Sequence, residues 1–363
     1  MRSKKRRLLD NFNQSIESIN RSYYYKKRAK EVVRSRNKSR ISRKDYNKII
    51  VPYWKKYGIK PDKLWFDFYC YEDKIIDPRY IPDNIWYSKI IPYFSNSQFR
   101  RFGEDKCMHD VYFSDILRPK TIVKNLAGVY YDSEGELISK YDAIKKCLDY
   151  KYEFIIKPSI DSGEGRLIKF LDVDGRNSDI IESEFNNFKC NFIVQESIKQ
   201  HKSMQELNPT SLNTIRVISL FFNNKVYILS STVRMGKFGS RVDNEGAGGY
   251  SCDVDSSGKL NSWVAGGDLK RVNESDLGIQ LSSIVIPSYD EIINIIKRKH
   301  KDFPHFKIIG WDFAINETGN PIFIEFNSVP GTNQNVSGPT FRDLTDEVLE
   351  EVFINKSLRY AQN

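Results

Sequence analysis

Residues 307–331, KIIGWDFAINETGNPIFIEFNSVPG, bring two carboxylates and an amide into a short span. The alternation and the cluster Glu317-Thr318-Gly319-Asn320 predict a β-hairpin with Thr318-Gly319 as a two-residue loop. Pairing then follows i + j = 637, which sets Asp312 opposite Glu325. The two-residue period puts Asn327 on the face of Glu325, while Ile322, Ile324 and Phe326 point to the other. On the first strand Ile309, Trp311, Phe313 and Ile315 share the apolar face, and the small residues Gly310 and Ala314 flank Asp312. Carboxylates facing each other across a ladder repel unless a cation sits between them. Hard oxygen donors of this kind suit Mg²⁺ that carries substrate phosphates. In an arbitrary hairpin such a face is ordinary solvated surface; the flanking small residues and the SVPG exit favour the metal reading here.

Three further segments offer groups for an anion or a base. In Glu153 to Phe170, strand Phe154-Ile155-Ile156 delivers Lys157 to a loop with Gly163 and Gly165, and a second strand runs from Arg166 to Leu171. There is no GK[ST] and no following helix, which excludes a P-loop and a Rossmann turn. Such a hairpin can fold over phosphates, with N–H groups donated by Ser162, Gly163 and Gly165, although a Gly-rich turn alone is more often only a turn. In Phe192 to Val217, a strand ending at Gln195-Glu196, with Ile198 beyond, has the free edge and apolar neighbour that suit an adenine. His201, Asn213 and Thr214 follow, and Arg216 among Ile215, Val217 and Ile218 needs an anionic partner. In Tyr227 to Asp255, Arg234 ends a strand, and Asn244 to Gly249 is the kind of Gly-rich loop a closing lid needs.

These segments lie in the part of the chain, about 103–330, where short β-rich runs alternate with Gly and Asp turns. Residues 51–102 are instead crowded with aromatics, including Trp54, Trp65 and Trp86, and Pro52, Pro61, Pro78, Pro82 and Pro92 are expected to break them into short helices and turns. Thr340 to Leu358 reads as a closing helix with Leu344, Val348, Leu349 and Val352 on one face. The division expected is a basic helical arm (1–50), an aromatic-rich helical part (51–102), two subdomains (103–195 and 196–345) and a C-terminal helix and tail (346–363).

At 363 residues, 40% hydrophobic and 29% charged, the chain can bury a sizeable core. No apolar run approaches the roughly 20 residues of a membrane-spanning helix, and the basic start lacks the apolar stretch of a secretory signal. Five scattered cysteines without a CxxC or Cys/His cluster argue against zinc and fit a reducing cytoplasm. The net charge of +10 is segregated: residues 1–50 carry +13 and the remainder −3. A polyanion partner is therefore a question about the arm alone, and without a reader module a nucleic acid ranks last.

Taken in order, the four segments resemble the ATP-grasp superfamily, most closely its sugar-transfer-associated branch, which is related to alpha-L-glutamate ligases. The likeness covers roughly residues 103–340; DFAI…IEFNSVPG with the upstream strand lysine carries the superfamily, and NPTSLNTIRV carries the branch. It implies an α+β fold in which two α+β subdomains clasp ATP, here behind a mainly helical N-terminal extension. By position it implies Lys106 and Lys157 as the ATP lysines, Gly163 and Gly165 as the phosphate-covering loop, and Gln195 to Ile198, through Glu196, as the adenine hinge. Arg216 and Arg234 then serve the triphosphate and the transition state. Asp312, Glu325 and Asn327 match the ligands of two Mg²⁺ ions, with Mn²⁺ a second fit. Related families often place an acidic residue on the ribose; here His201, Asn213 or Thr214 must serve.

The activity implied is an ATP-dependent carboxylate–amine ligation through an acyl phosphate. Its acceptor would be a sugar acid or an amino acid on a glycan intermediate, in cytoplasmic polysaccharide biosynthesis. Two rivals share the nucleotide site. A kinase would leave phosphate on its product, and a silent ATP-binding partner of a glycosyltransferase would not turn over. The intact set Lys157, Arg234, Asp312, Glu325 and Asn327 argues against the silent partner. In the arm, Ile16, Ile19 and Tyr23 form a modest apolar stripe beside Arg21, Lys26, Lys27 and Arg28. It reads either as a basic helix, solvated or docked on the core, or as a contact with the anionic inner leaflet at roughly 1 kcal/mol per engaged Lys or Arg.

Overall fold

The computed structural model describes residues 20, 22–35, 40–70, 75–160, 167–243, 248–266 and 270–357. Ser162, Gly163 and Gly165 lie outside the described residues, as do Ile16, Ile19 and Arg21 of the arm and Asn244 to Ala247 of the Gly-rich loop. Two antiparallel sheets and three groups of helices make up the fold.

The first sheet is built from β1 (Thr121–Leu126), β2 (Val129–Asp132), β3 (Leu137–Ile138), β4 (Phe154–Pro158), β5 (Lys169–Leu171) and β6 (Phe192–Glu196), in the order β3-β2-β1-β6-β4-β5. Helices α1 (Lys140–Asp149) and α2 (Ser178–Phe188) cover one face. Each starts at a side-chain cap, Ser139 accepting from the Asp142 N–H and Asn177 from that of Ile180. Their apolar stripes, Ala143, Ile144, Cys147, Ile181 and Phe185, pack on Phe154, Ile156, Phe192 and Val194. On the uncovered face, register aligns Lys124 and Lys157 on either side of Ile193.

The second sheet comprises β7 (Thr214–Phe222), β8 (Lys225–Met235), β9 (Tyr250–Asp253), β10 (Trp263–Gly266), β11 (Arg271–Asn273), β12 (Ile308–Ile315) and β13 (Pro321–Asn327), ordered β11-β10-β9-β8-β7-β12-β13. Helix α3 (Tyr289–Lys299) buries Ile292 and Ile296 against Val217, Trp311, Phe313 and Phe323 on one face. On the other face, Ile218, Leu220 and Ile308 join a separate core with Trp54, Trp65 and Trp86 of the N-terminal helices and with Val348 and Leu349 of the closing helix. That helix runs from Arg342 to Asn355. No helix among the described residues is long and apolar enough to cross a membrane.

The structure corrects two sequence expectations. Pro52 and Pro92 do not break helices: residues 43–55 and 83–94 are continuous, each with a five-residue π-helical segment ahead of its proline. A proline has no N–H to give, and the wider turn absorbs the loss. In the hairpin, the Asn316 N–H pairs with the Asn320 carbonyl and the turn holds three residues, Glu317, Thr318 and Gly319, rather than two. One extra residue at Ile324, a β-bulge, then restores the offset, so that Asp312 still faces Glu325. The bulge also moves Phe323 onto the apolar face beside Phe326, where strict alternation put Ile322 and Ile324.

Gly103, just ahead of the first sheet, lies flat against this hairpin. A Cβ there would stand 2.3 Å from Phe326 Cζ, and that ring is held among Phe303, Phe306 and Trp311. Gly103→Ala is expected to destabilise the chain by about 1–3 kcal/mol through overpacking, measured by urea denaturation. An unchanged midpoint would show that the ring has room to move.

A cationic candidate active site on the second sheet

Asp312 is the centre of the site. It sits on β12 with Arg216 as its direct neighbour on β7 and Glu325 on β13, and it is only 2% exposed. Arg216 donates to both of its oxygens, with Nη2 to Oδ2 at 2.6 Å, and Arg234 Nη2 adds a third bond to Oδ2 at 3.0 Å. A carboxylate this deep stays ionised only when paired and hydrogen-bonded, and two arginines meet that demand. Beside this pair, Gly310 admits Pro330: a Cβ there would lie 2.8 Å from Pro330 Cβ, and 3.4 Å from Arg216 Cδ.

Glu325 is less enclosed, with 31% of its side chain exposed, and Lys106 Nζ lies 2.8 Å from its Oε2. Burial works against its charge, but Lys106 above all, with Lys157 and Arg216, holds the carboxyl well below its usual range. Lys106 reaches this place because its backbone N–H pairs with the Ser159 carbonyl, at the end of the Lys157 strand, at 2.9 Å. Lys157 is 4% exposed and makes no ion pair among the described residues. Burial, and then the like charge of Lys106, lowers its ammonium to about 8 from an ordinary 10.5.

The other anticipated residues divide. Asn327 lies across from Gly310, and its Oδ1 accepts the Val329 N–H at 2.8 Å. The edge expected to be free at Gln195-Glu196 is paired, by β1 on one side and β4 on the other; Gln195 is buried one residue from the end of β6, Glu196 accepts the Lys120 N–H at 2.8 Å, and Ile198 is partly exposed just beyond. His201 caps the short helix Lys202–Gln205 and hydrogen-bonds Ser203. Asn213 is fully buried and spends its amide on Gln200, Met204 and Asn208. Thr214 gives its hydroxyl to Asp243.

Sequence reasoning missed Asp243. Its carboxylate lies 3.6 Å from Arg234 Nε, so that arginine is held between Asp243 and Asp312. Burial pushes the Asp243 carboxyl up to about 6; the charge of Asp312 adds to this, while Arg234 and Thr214 oppose it. Its place beside the Gly-rich loop was a signal, but only strand pairing reveals its partners. Also missed was Arg241, which crosses from the second sheet to the first. Its Nη2 donates to both oxygens of Glu153, at 2.6 and 2.8 Å, and its guanidinium lies 3.8 Å from the centre of the Phe170 ring.

Among the described residues no group of three or more His, Cys, Asp or Glu could hold a metal by itself. The donors fit a hard cation that brings most of its own shell, as Mg²⁺ on phosphates does. Glu325 is the accessible ligand, whereas Asp312 has both oxygens committed to arginine. Among the described residues, four cations (Lys106, Lys157, Arg216 and Arg234) face three carboxylates (Asp243, Asp312 and Glu325), and Lys157 is the one without an ion pair.

Two antiparallel sheets, each with a helix-covered face, and strand-borne lysines and acids between them define an ATP-grasp protein. The chain belongs to the sugar-transfer associated ATP-grasp family, which matches residues 104–348. Among solved structures it is similar to D-alanyl-alanine synthetase A from Vibrio cholerae O1 biovar eltor, with 13% identity, 70% of this chain and 65% of that one covered, and a TM-score of 0.43. It is similar too to the biotin carboxylase domain of the Hydrogenobacter thermophilus 2-oxoglutarate carboxylase (13%, 74% and 49%, TM-score 0.46). A third is the D-alanine–D-alanine ligase from Bacillus anthracis complexed with ATP (13%, 73% and 69%, TM-score 0.40). The chain spans less than two thirds of the length of the first two. No curated protein matches it.

The Lys157 ammonium gives a pH signature. Between about 8 and 10.5 the unfolded chain keeps a proton that the folded chain has released, so stability rises with pH across that window. Below pH 8 both states are protonated and the cost of the buried charge is paid in full. Lys157→Met should therefore be stabilised relative to the parent at pH 7.5, with the gap narrowing by pH 10 in urea titrations. A gap independent of pH would mean that Lys157 titrates as a free lysine.

Proposed function

We propose that the chain is an ATP-dependent ligase of the carboxylate–amine type, acting on a glycan intermediate in polysaccharide assembly. The observation that carries this reading is the surplus of buried cations around Lys157, which calls for a polyanion, beside an accessible carboxylate, Glu325. The acceptor carboxylate attacks the γ-phosphorus, the bond to the β-phosphate oxygen breaks, and acyl phosphate and ADP form. An amine then adds to the acyl carbon and expels orthophosphate, giving the amide. Lys106 and Lys157 bind phosphate oxygens, and Lys106 leaves Glu325 to do so. Arg216 and Arg234 stabilise charge on the transferring phosphoryl group and on the tetrahedral oxyanion, held in place by Asp312 and Asp243. Glu325 and Asn327 would hold magnesium, with Asp312 joining them once an arginine moves to phosphate, and the ion would neutralise charge on the β- and γ-phosphates. Ser162, Gly163 and Gly165 remain the proposed phosphate cover, and Gln195 to Ile198 the proposed adenine hinge. The buried amide of Asn213 leaves Thr214 and His201 nearer to serving a ribose.

The sugar-transfer association of the family supports the polysaccharide setting. The arm keeps its membrane reading in modified form. In the helix over 22–35, Ala29, Val32 and Val33 dock on the core, while Tyr23 and Tyr24 are 72% and 62% exposed. A basic helix with two outward tyrosines suits the edge of an anionic leaflet. Vesicles with anionic lipid should sediment the full chain at low salt and not a chain lacking residues 1–35; equal sedimentation of the two would remove this role.

The reaction itself is tested by orthophosphate release with uronic acids and amino acids as acceptors. Glu325→Gln should abolish ligation while nucleotide still binds, and an active variant would sink the assignment. Lys157→Ala should weaken ATP binding by about 1.5–3 kcal/mol, the range for a charge-assisted contact. ATP consumption with phosphate left on the product would instead identify a kinase.

A further inference from the structure

The end of the β7–β8 hairpin away from Arg216 and Arg234 gathers positive charge around a hollow. The two strands turn through Asn223 and Asn224, both at positive φ (47° and 58°), which leaves Phe222 facing Lys225. Asparagine tolerates that backbone region, and a two-residue hairpin turn requires it. β7 is nine residues long, so this turn stands roughly 25 Å from the Thr214–Arg234 end of the hairpin. The last turn of α3 and the short helix His300–Asp302 that continues it come alongside. Asn224, Lys225, Val226, Tyr227, Lys297 and Lys301 line the resulting open hollow, of about 290 Å³.

The cations at this end of α3 divide into two sets. Arg298 and Lys299 turn to Asp115, at 3.3 and 3.1 Å, and Lys299 also reaches Asp302 at 2.8 Å. Lys297 and Lys301, four residues apart, line the hollow instead, and neither they nor Lys225 forms an ion pair among the described residues. No acid is among the lining residues. A fourth lysine stands behind the wall: Lys307 Nζ lies 4.2 Å from the centre of the Phe221 ring, and Phe221 is the cross-strand partner of Val226. Like charges gathered without acids between them repel, and an anion in the hollow removes that cost. We infer that Lys225, Lys297 and Lys301, with Asn224 and Tyr227 beside them, bind a phosphate monoester or diphosphate group. This second anion site does not depend on the ligase reading above.

The chemistry selects the class. A carboxylate brings one charge to three ammoniums, whereas a phosphate monoester brings nearly two and three acceptor oxygens. Lysine serves phosphate as a flexible point charge, and a planar carboxylate is matched instead by the arginine fork; no arginine lines the hollow. The rival account is that these lysines only offset the carbonyl end of α3. It covers Lys297, in the last turn of that helix, but not Lys225, which belongs to the hairpin. It predicts lysines that respond to an anion one by one, and no more than other exposed lysines do.

Acetylation footprinting of the full chain, read lysine by lysine by mass spectrometry, separates the two accounts with inorganic pyrophosphate as the probe. Lys145 and Lys202, both exposed, serve as references. At about four times its dissociation constant, pyrophosphate should slow acetylation of Lys225, Lys297 and Lys301 together by about fivefold, the factor that mass action gives, and leave the references unchanged. Lys297→Gln should remove the protection at Lys225 and Lys301, and Lys225→Gln that at Lys297 and Lys301; both positions are exposed, so the fold is kept. Vesicles identify the source of the phosphate. Stronger protection by phosphatidic acid than by phosphatidylserine at equal surface charge places it on a lipid, and protection by pyrophosphate alone places it on a soluble molecule. Equal slowing at the reference lysines, protection untouched by either substitution, or no protection from pyrophosphate or vesicles would overturn the site.

Discussion

The charge of Asp312 constrains everything around it. At 2% exposure the carboxylate has no water to solvate it, and Arg216 and Arg234 take that role with three hydrogen bonds. Breaking such a buried pair typically costs about 3–5 kcal/mol, because the remaining charge is left uncompensated. The arrangement therefore dictates its surroundings. Position 310 must be glycine because Pro330 lies over it, where a Cβ would come within 2.8 Å, and Arg234 comes from the adjacent β8, where Thr214 opposite it also positions Asp243.

The same arrangement sets the reactivity. Each acid in the site is covered by a cation from another strand or segment: Asp312 by the two arginines, Glu325 by Lys106, and Asp243 by Arg234. Such a set is internally compensated without ligand, and it can open only for something that repays the lost ion pairs. Lys157 shows which sign that ligand has, since its ammonium is buried beside another lysine and its proton is already weakly held. Under the proposed function, a polyanion at this site would relieve Lys157 and draw Lys106 off Glu325, coupling binding to exposure of that carboxylate.

The helical extension is more than a cap on the core. Its aromatic residues pack with Ile218, Leu220 and Ile308 of the second sheet, and its Trp86 and Ile81 hold Pro330 and Gln334 in the segment that follows β13. The tryptophans and tyrosines thus do two jobs: they bury area, and polar edges such as Trp86 Nε1 and Trp54 Nε1 meet the backbone carbonyls of Pro330 and Pro78.

Much of this was legible in the sequence, because strand alternation is a local property. The hairpin, the opposition of Asp312 to Glu325, the strands that end near Lys157, Gln195 and Arg234, and the aromatic packing of residues 51–102 all follow from side-chain period and residue type. Even so, the Asp312–Glu325 pairing was reached through the wrong turn; a three-residue loop and a bulge at Ile324 cancel, and neither is encoded by alternation. What tertiary structure alone decided are the contacts between residues far apart in sequence. The Arg216–Asp312 neighbourhood needs β7 to pair with β12, Asp243 becomes a partner of Arg234 only when its loop folds back, and Tyr69 meets Thr332 only once the extension docks. Periodicity reports which face a side chain takes. Which strand lies next to it is settled by the packing of whole sheets and helices, and the charge balance of the site is set there.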